Sequence, residues 1–287
     1  MTSVTFSASS SNQVMVFHYS RAWQYEAGGF PSTRPSTTLS MSNGPNNPRR
    51  EPIALGRSGD KPEDGWPITA DCRHCKVRGQ GLFSVLRGRD LDQLVPPVRA
   101  GVFPRQTLLY REGQRADAVL AVREGTVKLV KHASDGEERI VRVLGRGAAI
   151  GLEALTHGVY WHTAEALSSV DLCRIPLAVF DALKPRHAGL SERMIHQWQG
   201  HLRCADHWLV ELSTGPVHER VRRLLVFLSE IDGSNGQRLQ LPSTADLAKV
   251  LGTTRESVSR AVAELKRSGA LARVGPHTYD CDLEALS

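Results

Sequence analysis

The chain has 287 residues, a formal net charge of +6 and five cysteines, and its pI is about 9.2. That length holds two domains with an adequate core each, and the positive balance favours a polyanionic partner. No apolar run reaches the roughly 20 residues of a membrane span, and no basic segment followed by an apolar one opens the chain. A cytoplasmic protein without a membrane partner is expected, its odd set of cysteines serving as reduced thiols or metal ligands and not as a disulfide framework.

Ser, Thr, Pro, Gly and Asn crowd the stretch from Gly28 to Pro52, which has little to bury. Residues 1–70 are therefore expected to be a disordered tail. Met15 and Met41 lie inside it, so the first methionine need not be the translation start. From Leu82 the character changes. Leu91, Leu94 and Val95 suggest a short helix, and then come short apolar runs punctuated by glycine, with Asp135-Gly136 between two of them as a hairpin signal. Many short strands with Gly turns predict an antiparallel sandwich or barrel over residues 71–187.

After Pro185 the period switches. Ile195, Trp198, Leu202, Ala205, Leu209 and Leu212 recur at alternating steps of three and four, a heptad seam that predicts a helix of roughly 37 Å paired with the same helix of a second copy. Gly215-Pro216 ends this dimerisation element, residues 188–214. Val221, Leu224, Leu225, Leu228 and Ile231 mark the next amphipathic helix, and Asp232-Gly233 stops it.

Residues 243–271 carry the most specific pattern. Ser243 and Asp246 form one helix start, Thr253 and Glu256 a second, and Leu251-Gly252 closes the first helix with a left-handed turn. Val258, Ala261, Val262 and Leu265 make one buried stripe. Arg255, Glu256, Ser259 and Arg260 fall off it and share one face near the helix N-terminus, where a recognition helix presents its base-reading residues. Arg is a bidentate donor to guanine and Glu accepts from the cytosine amino group. The following ALARVGPHTYDC segment reads as a small hairpin, or wing. Residues 215–287 are thus predicted to be a winged helix-turn-helix that binds double-stranded DNA. Arg220, Arg222, Arg223, Arg267 and Arg273 add positive charge in the same third of the chain. No nucleophile–base constellation, phosphate loop or H-E-x-x-H motif points to an enzyme.

A β-rich domain, a long dimer helix and a winged helix-turn-helix in that order resemble the Crp/Fnr family of bacterial transcription regulators. The likeness spans about residues 72–280 and is sharpest in LGTTRESVSRAVAELKRSG, where Glu256, Ser259 and Arg260 match the family's FNR-like branch. The resemblance implies an α+β fold with a cyclic-nucleotide-binding-like β-roll. It also implies a homodimer on a TTGA-type palindrome, contact with RNA polymerase, and a redox or small-molecule signal sensed in the β-roll.

The nature of that signal stays open. Nucleotide-binding members carry a Gly-Glu pair and a downstream Arg-Ser or Arg-Thr; this chain has Gly151-Leu152 and His162-Thr163. Without the Arg, a buried phosphate lacks its bidentate partner, so cyclic AMP is not expected. Cluster-binding members use three N-terminal cysteines and one in the β domain. Cys72, Cys75 and Cys173 match three of these positions, but the usual spacings for the third N-terminal cysteine land on Gly81 and Phe83. A [4Fe-4S] cluster needs four ligands and would require an atypical fourth one. Zinc or redox-thiol chemistry, with His74 as a helper, and no cofactor at all are the alternatives. Cys204 and Cys281 are read as packing residues, and His157 and His162, which would suit haem by residue type alone, as loop or surface histidines.

Overall fold

In the computed structural model the described residues are 66–286 without 89, 92–97 and 232–237. The expected tail over 1–65, Leu94, Val95 and the Asp232-Gly233 stop lie outside them. Two of the residues assigned above to the tail belong to the sheet: β1 (Ile68–Thr69) pairs with β2 (Arg99–Phe103), and the adjoining Ala70 is buried.

The alternating apolar runs give two antiparallel sheets. β3 is Leu108–Tyr110, β4 Ala118–Glu124, β5 Val127–His132, β6 Glu138–Leu144, β7 Ala149–Ile150, β8 Thr163–Ala166 and β9 Val170–Pro176. One sheet has the order β1-β2-β9-β4-β7 and the other β3-β8-β5-β6. Their inner faces meet around Leu120, Val122, Leu129, Ile150, Ala164 and Leu172. β4 reads AVLAVRE because it is a central strand covered on both sides. Its other face joins Cys173, Ile175 and Phe180 in a second core, built against α2 (Leu177–Leu183) and α3 (Ala188–His207). α1 is the single turn Ala154–His157. Asp135-Gly136 does close the β5–β6 hairpin: Gly136 takes a φ of 84° and donates to Ala133 O.

The long helix differs from the sequence expectation at its end. α3 passes at Trp208 into one π-helical turn, Trp208–Leu212. A π turn holds more residues than an α turn, so it rotates the side chains that follow. Leu212 consequently leaves the predicted seam and is buried, with Trp208, in the core of the C-terminal helices. Ile195, Trp198, Leu202 and Leu209 stay exposed in one chain, joined by Val210, while Ala205 is half-buried.

The C-terminal region comprises α4 (Val217–Ile231), β10 (Arg238–Gln240), α5 (Thr244–Leu251), α6 (Arg255–Arg267), β11 (Leu271–Gly275), β12 (Thr278–Cys281) and α7 (Leu283–Leu286). β10 adds a third strand to the predicted hairpin, in the order β10-β12-β11. This region packs on the outer face of the four-stranded sheet, where Val130, Ile140, Val143 and Leu167 enter its core. Gly145 lets the two surfaces touch: a Cβ there would sit 2.0 Å from Ile231 O, a backbone atom that cannot swing aside. The junction is also ionic. Lys128 Nζ lies 2.8 Å from Asp246 Oδ1 and 3.0 Å from Glu165 Oε1, and Arg105 is 3.6 Å from Asp246 Oδ2. Lys249 pairs with Glu138 close by.

Candidate DNA interface and thiol pocket

The helix pair α5–α6 follows from its caps. Ser243 Oγ accepts from Asp246 N at 3.0 Å, satisfying one of the free donors of the first turn. Gly252, at φ 58°, ends α5 in the left-handed conformation that a side chain disfavours. The second cap is Thr254, whose Oγ1 accepts from Ser257 N, and not the predicted Thr253–Glu256 pair; α6 begins one residue later than that pair requires. Its stripe of Val258, Ala261, Val262 and Leu265 is buried. Arg255, Glu256, Ser259 and Arg260 are all exposed, on the N-terminal half of the helix. Beside them lies the wing, where Lys266 Nζ sits 4.6 Å above the Tyr279 ring and donates to its hydroxyl at 3.0 Å, with Arg273 exposed on β11. Three of the arginines that raised the positive charge of this region are engaged within the chain. Arg220 donates to Leu212 O and Leu251 O, Arg222 pairs with Glu219, and Arg223 pairs with Glu211.

The cysteines at 72, 75 and 173 come together. They line one small cavity of about 50 Å³ with Arg123, Gly81 and Phe83. Cys72 and Cys173 are buried and Cys75 is half-exposed. Burial, joined by its cysteine and aspartate neighbours, pushes Cys72 up to about 11. Burial likewise pushes Cys173 up to about 12, although the adjacent Arg123 guanidinium works in the other direction. Arg123 is anchored by Asp171 at 3.5 Å. Cys204 packs against the C-terminal core, as does Cys281.

A third group of polar side chains lies under α3. Glu153 Oε1 accepts from Trp161 N at 3.1 Å and lies 3.7 Å from His162 Nδ1. Tyr110 and Tyr160 stack with centroids 3.8 Å apart. His162, read above as a loop or surface residue, is buried; His157 is exposed and packs on Trp161. His201 reaches this region from α3 and is buried, a placement that no residue spacing in the sequence signals. Burial, then the nearby Arg142, push His201 down from 6.5 to about 4. Its unfolded form thus binds a proton that the folded form refuses between those two values. Stability falls as pH drops from 6.5 toward 4, by about 3 kcal/mol at full extent. Urea unfolding at pH 7 and pH 4.5 checks this, and His201→Gln should flatten that part of the profile.

Residues 101–187 match the family model described as a cyclic nucleotide-binding domain, and residues 219–287 match the model of a Crp-like helix-turn-helix domain. The chain is 24% identical over 239 residues to the anaerobic regulatory protein of Haemophilus influenzae, covering 82% of this chain and 93% of that relative. Identity to the fumarate and nitrate reduction regulatory protein of Salmonella typhi is 26% over 221 residues, 75% of this chain and 88% of that one. With both domains matched in this order, the chain belongs to the Crp/Fnr family of transcription regulators. The fold agrees: the structure of FixK2 from Bradyrhizobium japonicum matches with a TM-score of 0.58 at 24% identity, over 66% of this chain and 95% of that one. Members of this family are DNA-binding regulators and generally not enzymes.

The regulator departs from its family at both effector positions. Leu152, where nucleotide-binding members place their Glu, is buried in the core shared with Phe180 and Leu190. Glu153 is engaged by Trp161 and His162. The FNR-like cluster meets a similar obstacle. Gly81 and Phe83, the two positions open to a third N-terminal cysteine, face the same cavity as the three thiols but carry no donor atom. Among the described residues no three His, Cys, Asp or Glu side chains are grouped to hold a metal ion. The residues present do not fit a four-cysteine cluster.

Proposed function

We propose that the regulator acts as a homodimer on a two-fold palindrome with TTGA-type half-sites. In this reading residues 71–187, extended back to β1, form the sensor, 188–214 the dimer helix and 215–287 the DNA-binding domain. Arg255 and Arg260 read guanines, Glu256 a cytosine amino group, and Ser259 a thymine or a neighbouring base. The observation that carries this is the placement of all four exposed side chains on the N-terminal half of α6, opposite its buried stripe. A signal in the β domain shifts α3 and with it the spacing of the two recognition helices. RNA polymerase is the onward partner and the cytoplasm the expected compartment; no described helix is long and apolar enough to cross a membrane.

A gel shift on a TTGAT-N4-ATCAA duplex tests the reading; failure to prefer it over scrambled DNA overturns it. Glu256→Ala should relax base preference at one position of each half-site, by about 1–3 kcal/mol. It should spare non-specific affinity, because Glu contributes readout but repels phosphate. Competition assays with unchanged base preference would remove Glu256 from the reading face.

A further inference from the structure

The three-thiol cavity has no fourth ligand, yet it is wired to the dimer helix. The segment after Cys75 turns back on itself: Cys75 O accepts from Arg78 N, and Val77 O accepts from Gln80 N and Gly81 N. The end of that turn is gripped by α3. Arg193 Nη2 donates to Gln80 O at 2.9 Å and to Gly81 O at 3.4 Å, and Gln197 Nε2 donates to Gln80 O at 3.4 Å. Arg193 and Gln197 stand one helical turn apart, so one face of α3 holds both carbonyls. Gln197 also donates to Gly147 O and accepts from Ala149 N, which ties the same contact to the sheet. Arg193 Nε is buried without an acceptor. A rearranged segment can therefore gain a hydrogen bond that the present arrangement lacks.

We propose that Cys72, Cys75 and Cys173 form a redox thiol site in which a hydroperoxide closes a Cys72–Cys75 disulfide, and that α3 reads the closure through Arg193 and Gln197. The three thiols differ in freedom. Cys173 sits inside β9, paired to Ala100 on one side and Ala121 on the other, so it is the fixed wall. Cys72 and Cys75 lie in coil between β1 and the short turn Leu82–Val85, outside any strand ladder, and can approach each other without breaking a sheet. Cys75, half-exposed, meets the oxidant first. Its thiolate attacks one peroxide oxygen, the O–O bond breaks, and the departing hydroxide takes a proton to leave as water. Cys75 is then a sulfenic acid. The Cys72 sulfur attacks the Cys75 sulfur, the S–O bond breaks, and the Cys72 proton leaves with that hydroxide as a second water. Two thiols lose two electrons and one peroxide gains two. The closure draws Cys75 toward Cys72, and Cys75 begins the turn whose far end α3 holds at Gln80 and Gly81, so the change is passed through that turn to the α3 contacts. The DNA consequence rests on the dimeric-regulator reading above; the thiol chemistry does not.

The test uses the full chain, reduced, freed of reductant and treated with one equivalent of hydrogen peroxide. Peptide mass mapping without reductant should find a Cys72–Cys75 bridge, with Cys173, Cys204 and Cys281 still open to maleimide. Palindrome affinity should fall about fivefold or more and return with dithiothreitol. Cys75→Ser should abolish both changes. Arg193→Ala with Gln197→Ala should still form the bridge but lose most of the affinity response; if it responds like the parent chain, the α3 coupling is wrong. Persistence of all five thiols, a bridge to another cysteine, or iron or zinc that co-purifies stoichiometrically and is lost in Cys75→Ser would overturn the thiol site. If neither redox form prefers the palindrome, the regulator reading fails, and mass mapping still decides the thiol chemistry.

Discussion

Lys128→Met is expected to lower the unfolding free energy by about 3 kcal/mol, the scale found when one partner of a buried ion pair is removed. Lys128 and Asp246 are 9% and 12% exposed and 2.8 Å apart, and Glu165 shares the ammonium. Burial alone would raise Asp246, but hydrogen bonds from Lys128 and Ser243 and the charge of Lys128 outweigh it and hold the carboxyl below 3.8. Burial would lower Lys128, and its bonds to Asp246 and Glu165 outweigh that, so it ends above 10.5. For the depressed carboxyl, the stabilisation is present above 3.8 and lost as pH falls through the folded value. For the raised amine, it is complete below 10.5 and lost only as pH climbs past that. The gap between parent and variant should therefore be flat from pH 5 to 9 and close in stronger acid. Urea titrations at several pH values measure it. A loss below about 1 kcal/mol would mean that Arg105 and Ser243 suffice for Asp246. Replacing both partners with Lys128→Met and Asp246→Leu should recover much of the loss, because an apolar pair leaves no charge stranded.

That junction also marks where the sequence stopped being legible. The helix-turn-helix could be read because its signals are local: a serine cap, a glycine turn and a stripe at helical spacing lie within about 25 residues. The β domain was legible as a class, through short apolar runs and the Asp135-Gly136 turn, but its strand order comes from pairings between distant residues that no local pattern encodes. Asp246 shows the limit in one residue. Its capping place beside Ser243 was readable; its burial against Lys128, 118 positions away, was not. The thiol pocket was half-legible. The C-x2-C pair and Cys173 stood out, whereas Arg123 and the α3 contacts that give the pocket a mechanical neighbour did not. The heptad spacing did not foretell the burial of Leu212 in its own chain, because a π turn has no sequence signature as plain as a cap.

Leu202→Asp should give a monomer that still folds. Leu202 is 64% exposed in a single chain, between Ile195 at 56% and Leu209 at 67%. A charge there costs the isolated chain little, since substitutions at exposed positions generally fall within about 0.5 kcal/mol. In the proposed dimer the same position would lie in the seam, where each Leu buried against a partner contributes about 1.5–3 kcal/mol and an unpaired carboxylate is costly. Two-fold symmetry places the change on both helices, so each variant dimer suffers it twice. The expected pattern is an unchanged circular dichroism melt, a light-scattering mass near 31.5 kDa, and a palindrome affinity reduced by about 100-fold or more as the two half-sites are no longer bound together. Leu212→Asp separates the seam from the core: Leu212 is 2% exposed and packs inside its own chain, so that variant should lose stability itself. A Leu202→Asp chain that keeps a dimer mass would move the interface off this face of α3 and leave the exposed Ile195, Trp198 and Leu209 to some other contact.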